Sequence, residues 1–115
     1  GIIMRELIYY RIASQEGSLN RHKELCRAKA AELGFNEVIE FEDTESGLKD
    51  RIGLQNLMSV VHPGDIVITM DPSRLYRDTA KIMKFANSIK KKGGKIAFVN
   101  DNYSIDVLEE KLKYL

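Results

Sequence analysis

The sequence predicts an α/β domain of three layers, α/β/α, around a mostly parallel sheet of four to five strands. Three observations carry that prediction. Short apolar runs alternate four times with longer stretches of helical periodicity, the pattern of a sheet with helices on its faces. Glycines and turn residues separate these stretches where helices should stop, at Gly34, at Pro63-Gly64 and at Gly93-Gly94. The length of 115 residues suits one compact domain and is too short for two ordinary ones.

Glu6 to Ile12 reads as the first strand. From Ser18 to Leu33 a first helix follows, with Leu19, His22, Leu25, Cys26, Ala30 and Leu33 at helical spacing, Ser18 as N-cap and Gly34 as the stop. Glu37 to Glu42 carries Val38, Ile39 and Phe41 and makes a second strand. Leu54, Leu57, Met58 and Val61 mark a short second helix, ended by the turn His62-Pro63-Gly64-Asp65. Ile66 to Met70 is a compact apolar run, the mark of a buried third strand. Asp78 or Thr79 caps a third helix with Ile82, Phe85, Ala86 and Ile89 on one face, running to Gly93. Lys95 to Val99 supplies the fourth strand, and Ser104 can cap a last helix with Ile105, Leu108, Leu112 and Leu115 on one face. Strands joined through helices are expected to run parallel, with ligands bound beyond their C-terminal ends.

Composition narrows the function classes. Hydrophobic residues make up 43% and charged residues 30%, which suits a globular chain with a core and a solvated surface. No apolar run approaches the roughly 18 residues of a membrane span, and no signal-peptide pattern opens the chain, so a cytoplasmic location is expected. The formal net charge is +1, so affinity for nucleic acid has to come from arginines placed at a site. The cluster Lys90-Lys91-Lys92 with Lys95 reads as a solvated helix end. Cys26 is the sole cysteine, which rules out an internal disulfide, and it reads as a small core residue.

The four strand ends deliver the residues 11–14, 43–51, 71–77 and 100–102. Three of them carry arginine: Arg11, Arg51, and the pair Arg74 and Arg77. Arginine stays charged and offers a planar fork of donors, so several guanidinium groups around one spot suit a phosphate and the added charge of its transition state. Phosphoryl chemistry is the natural inference, against the plainer reading that these arginines pair with Asp43, Asp50, Asp71 and Asp78. Arg74 and Arg77, three apart, project to one side of a helical turn and could grip one phosphate. Ser46-Gly47 permits a sharp turn. Asp43 could orient an arginine, take a proton, or simply end the second strand. Other mechanisms lack their parts. His62 precedes the third strand and belongs at the opposite edge of the sheet, and His22 reads as a partly buried surface residue. No metal-ligand spacing, Walker lysine motif or glycine-rich dinucleotide fingerprint occurs.

Taken in order, Tyr9-x-Arg11 with Ser18-Leu19, Asp43-x-x-Ser46-Gly47, Asp50-Arg51-x-Gly53-Leu54, Gly64-Asp65 and Ser73-Arg74-Leu75-x-Arg77-Asp78 resemble the catalytic domain of serine site-specific recombinases. That family includes resolvases, DNA invertases and serine integrases, and the resemblance runs from about Leu7 to Asn102. It implies a resolvase-like fold and DNA cleavage and rejoining through a 5′-phosphoserine intermediate that leaves a 3′ hydroxyl, within a tetramer. By resemblance, Arg11, Arg51, Arg74 and Arg77 activate the nucleophile and stabilise the transition state, and Asp43 and Ser46 are polar site residues. Covalent storage of the phosphodiester implies no cofactor, neither ATP nor metal.

The chain departs from the family pattern in three respects. Ser73 lies where many resolvases have aspartate, which is not disabling. Ala13 occupies the nucleophile position, and a methyl group cannot attack phosphorus. A serine-to-alanine replacement made to inactivate the domain, a naturally dead relative, and Ser14 as displaced nucleophile all fit, though Ser14 should point away if the backbone stays extended. The third departure is length. The expectation is a single catalytic domain over 1–115, with the dimerisation helix cut short and the DNA-binding domain absent. Such a chain should bind double-stranded DNA weakly, the exposed remains of its last apolar face would favour self-association or a missing partner segment, and the full-length protein should form a homodimer or tetramer. A non-enzymatic regulatory or interaction domain on the same scaffold is the alternative, and a small-molecule binder of flavodoxin-like architecture a distant third.

Overall fold

The computed structural model describes residues 5–12, 19–34, 37–44, 51–70 and 79–99. Seven elements follow in order: β1 (Arg5–Ile12), α1 (Leu19–Leu33), β2 (Glu37–Thr44), α2 (Ile52–Val60), β3 (Ile66–Thr69), α3 (Thr79–Lys91) and β4 (Lys95–Phe98). Each strand and helix expected within these residues is present, with ends that differ by one or two residues. Ser18, Asp78 and the expected last helix from Ser104 to Leu115 lie outside the described residues.

The four strands pair in the order β2-β1-β3-β4, every pair parallel. Alternation along each strand divides the core in two. On one face Leu7 and Tyr9 of β1, Val67 of β3 and Phe98 of β4 pack with Leu54 and Leu57 of α2 and with Ile82, Phe85 and Ile89 of α3. On the other, Ile8, Tyr10 and Ile68 pack with Cys26 and Ala30 of α1. A side chain as buried as Leu57 contributes roughly 1.5–3 kcal/mol by leaving water. The result is the expected sandwich, with α1 on one face and α2 and α3 on the other.

α1 corrects two sequence readings. Its buried stripe is narrow, running through His22, Cys26 and Ala30, while Leu25 and Leu33 stand half-exposed at 36% and 38%. The side chains of Cys26 and Ala30 pack in one cluster with Ile8, Tyr10 and Ile68 of the sheet. His22 shares that stripe and is buried at 7% exposure, rather than sitting at a partly buried surface.

Two features hold the far edge of the sheet, where β1 and β3 begin. Arg5 grips Asp65 with two hydrogen bonds, Nε to Oδ1 at 3.1 Å and Nη2 to Oδ2 at 2.7 Å, and Nη2 also donates to the Val60 carbonyl at 2.7 Å. The His62 amide donates to the same Asp65 carboxylate. Burial pushes the Asp65 carboxyl up, but the bonds from Arg5 and His62 outweigh it and hold it below its ordinary value. Nearby, α3 ends in a Schellman turn: Gly93 N–H bonds the Lys90 carbonyl and Gly94 N–H that of Ile89. Gly93 has φ +83°, and a Cβ there would sit 3.0 Å from Pro63. Lys90 and Lys91 lie in the last turn of α3, and Lys92 donates to the Met58 carbonyl, so this cluster serves a helix end as its composition suggests.

Candidate functional site at the C-terminal edge of the sheet

Parallel pairing sends every strand's C-terminal end to one edge, and three of the expected site residues meet there. Arg11 stands on β1 directly opposite Asp43 on β2, and it is partly buried. Strand alternation places both on the face that carries Tyr9, the side covered by α2. Arg51 immediately precedes α2 as its N-cap. Ala13, Ser46, Ser73, Arg74 and Arg77 lie outside the described residues, as do Ser14, Asp50, Asp71 and Asp78.

The geometry around Asp43 explains how Arg51 reaches this edge. The Asp43 carboxylate accepts from the Gly53 amide (Oδ1, 2.8 Å), the Leu54 amide (Oδ2, 3.0 Å) and the Tyr9 hydroxyl (Oδ2, 2.7 Å). The first amides of a helix have no partner within it, and a side-chain oxygen normally supplied by the N-cap residue satisfies them. Arginine has no such oxygen, and Arg51 makes no side-chain capping bond. Asp43 caps the helix from the neighbouring strand instead, and its negative charge meets the positive end of the helix dipole.

Two backbone features follow from this docking. Arg51 adopts a left-handed conformation, φ 40° and ψ 55°, among the described residues the one non-glycine position with positive φ. That conformation costs a side-chain-bearing residue roughly 1–2 kcal/mol, so the surrounding contacts must hold it. Gly53 sits so close to β2 that a Cβ would overlap the Glu42 carbonyl oxygen and meet Asp43 Oδ1 at 3.0 Å. Only glycine lets the α2 amides approach the carboxylate.

The capping also limits the chemistry available. With Asp43 already bound to the amides of Gly53 and Leu54, the N-terminus of α2 is not an open cradle for phosphate, so anion binding falls to guanidinium groups. The plainer reading of Asp43 as a strand end is therefore too small, since its carboxylate accepts from two helical amides and the Tyr9 hydroxyl. The sequence motif includes Tyr9 and Gly53 but assigns neither a site role. The available signal was spacing: Tyr9 is two residues before Arg11 on the same strand face, and Gly53 two residues after Arg51.

Elsewhere, a cavity of about 430 Å³ between α1 and β2 is lined by Arg27, Ala30, Ala31, Val38 and Glu40. Arg27 closes on Glu40 with bonds of 2.6 and 3.0 Å, which hold the Glu40 carboxyl below its usual range. On that same face burial, helped by nearby Glu40, pushes the Cys26 thiol up to about 12, which makes it an unreactive core residue. Among the described residues no group of three or more metal-ligating side chains gathers. None of the helices described is long and apolar enough to cross a membrane.

Comparison with known proteins agrees with the geometry. The sequence model of the family described as Resolvase, N terminal domain matches residues 7–113. A transposon Tn3 resolvase of Escherichia coli is 31% identical over 104 residues, 90% of this chain and 54% of that protein. A resolvase of Clostridium perfringens is 28% identical over 83% of this chain and 49% of that protein, so the chain spans about half the length of these relatives. Among solved structures, the catalytic domain of ISC1926 TnpA, an IS607-like serine recombinase, superposes with a TM-score of 0.73 at 28% identity, covering 95% of this chain and 76% of that one. A resolvase family site-specific recombinase from Streptococcus pneumoniae shares the fold, with a TM-score of 0.78 at 22% identity over 96% of this chain and 87% of its own. Motif order, parallel topology and family match coincide over the same residues, and the chain belongs to the resolvase family, whose N-terminal domain it carries.

Proposed function

We propose that this chain is the catalytic domain of a serine site-specific recombinase acting on double-stranded DNA, with the nucleophile position occupied by Ala13. The observation that carries the reading is the gathering of Arg11 and Arg51 at one strand edge of a resolvase-family domain, on a backbone held there against strain. Arg74 and Arg77, with Ser73 before them and Ser46 after β2, complete the proposed site. Serine at position 13 would attack phosphorus through its Oγ, forming a P–O bond as the 3′ oxygen leaves with a proton. The 5′ phosphate is then held on the serine. Guanidinium groups stay protonated near neutral pH, so their part is electrostatic: they bind the phosphate and stabilise the charge of the pentavalent transition state. Return attack by a 3′ hydroxyl of another strand regenerates the serine and rejoins the DNA, so bond energy is conserved without ATP.

Ala13 removes the attacking oxygen and leaves the electrostatic machinery in place. Alternation along β1 sets Tyr9 and Arg11 on one face and Tyr10 on the other. A strand continued at the same period carries position 13 to the arginine side and Ser14 away from it. The test is direct: the full-length protein with serine at position 13 is expected to give an SDS-stable covalent adduct with duplex DNA containing its site, and the alanine form none. Absence of adduct under conditions that support synapsis overturns the recombinase reading. Ala13 itself favours the second reading, a non-enzymatic domain that binds DNA or a recombinase partner. Natural alanine in a stand-alone reading frame, together with DNA or partner binding that survives loss of the site arginines, would establish it.

A further inference from the structure

Tyr9 is fully buried, its ring packed in the core with Leu54 and Leu57 of α2, and its hydroxyl emerges from that core to bond Asp43 at 2.7 Å. The two amides take one carboxylate oxygen each, and the Tyr9 hydroxyl adds a third donor that ties Oδ2 to the sheet. From Asp43 the bonds pass to Gly53 and Leu54, and the Arg51 carbonyl accepts the Gln55 amide at 3.0 Å, the first bond of the helix. These bonds form a relay that starts two residues before Arg11 on the same strand face and ends in the helical turn that follows the left-handed Arg51. One end of the relay is the strand that carries Arg11, and the other end carries Arg51.

We propose that Tyr9 is a positioning residue for DNA cleavage: its hydroxyl, through the Asp43 carboxylate, fixes the backbone from which Arg51 projects and so sets that arginine relative to Arg11 and the reacting phosphodiester. Asp43 is in consequence an anchor for α2. The inference rests on the recombinase reading of the site, but part of its test does not. A misplacement of about 1 Å in a charge-stabilising group can cost on the order of a hundredfold in rate, so loss of one hydroxyl should be visible.

The experiment uses Tyr9→Phe, which keeps the ring in the core and removes only the donor. In this chain without DNA, the amide and Nε–H resonances of Arg51 are expected to shift, with the amides of Gly53 and Leu54, while the far-ultraviolet spectrum is unchanged. Unmoved Arg51 signals overturn the proposal whatever the activity. In the full-length protein with Ala13→Ser, Tyr9→Phe is expected to slow adduct formation at saturating DNA by about tenfold or more, with duplex affinity altered less than about threefold. Adding Tyr9→Phe to Arg51→Ala should then slow the reaction no further, because the hydroxyl acts through that arginine. Additive losses overturn the proposal and assign Tyr9 a general structural role. If Tyr9→Phe does not fold, Asp43→Asn is read in the same three measurements. Failure of the Ala13→Ser protein to form any adduct condemns the recombinase reading alone, since the resonance shifts still decide the relay.

Discussion

At residue 51 the chain accepts an unfavourable backbone in order to present an arginine at the sheet edge. Part of what holds the strain is the pair of bonds that the next helical amides, of Gly53 and Leu54, donate to Asp43. Gly53 is the residue on which this arrangement depends sterically, because a methyl group there meets both the Glu42 carbonyl and the Asp43 carboxylate. Gly53→Ala is expected to destabilise the chain by about 1–3 kcal/mol, read as a lower urea midpoint, since the α2 N-terminus must move off β2. A midpoint equal to the parent's would show that α2 is not held by this contact. None of this is visible from residue type alone: an aspartate at a strand end and a glycine near a helix start have many ordinary explanations, and only the three bonds to the carboxylate separate them.

The helices show how much an element's role depends on its partner surface. α3 has a broad buried stripe, Ile82, Met83, Phe85, Ala86 and Ile89, and its period was plain in the sequence. α1 has at least as many apolar positions, yet Cys26 and Ala30 are buried against the sheet while Leu25 and Leu33 stay outside. Periodicity reports which positions could be buried; the depth of contact decides which are. The end of α3 is equally specific. Gly93 combines a positive φ with close packing on Pro63, so Gly93→Ala is expected to cost about 1–2 kcal/mol and lower the melting temperature by several degrees. An unchanged melting temperature would mean that the turn tolerates a side chain.

Across the whole molecule the two edges of the sheet divide the work. The C-terminal edge collects Arg11, Arg51 and the capped start of α2, while the opposite edge is closed by the Arg5–Asp65 pair and the α3 turn. Asp65 has its folded carboxyl held below the unfolded value, so its stabilisation is complete above about pH 4, the unfolded range, and is lost as pH falls through the lower folded value. The Glu40 carboxyl, lowered by Arg27, acts in the same direction. The contribution of these two carboxylates is therefore expected to be level from neutrality to about pH 5 and to be lost below about pH 4, which lowers stability in acid. Arg5→Ala leaves the Asp65 carboxylate buried without its partner and is expected to cost about 3–5 kcal/mol near neutrality, and less in acid where Asp65 is protonated. An equal cost at pH 3 and pH 7 in denaturant titrations would contradict that account.

By itself the sequence determined the order of elements, the parallel sheet and the edge at which a site must form, because periods of 2 and 3.6 and their terminating glycines are local properties. Its motif order also determined the family. Only the tertiary structure decided what Asp43 does, that Tyr9 belongs with it, and that Arg51 stands in a left-handed turn. Those facts arise from bonds between residues 34 and 10 or 11 apart in the chain, and no local pattern encodes which of several possible partners a carboxylate will find. Burial of His22 was decided in the same way, by which side of α1 faces the sheet.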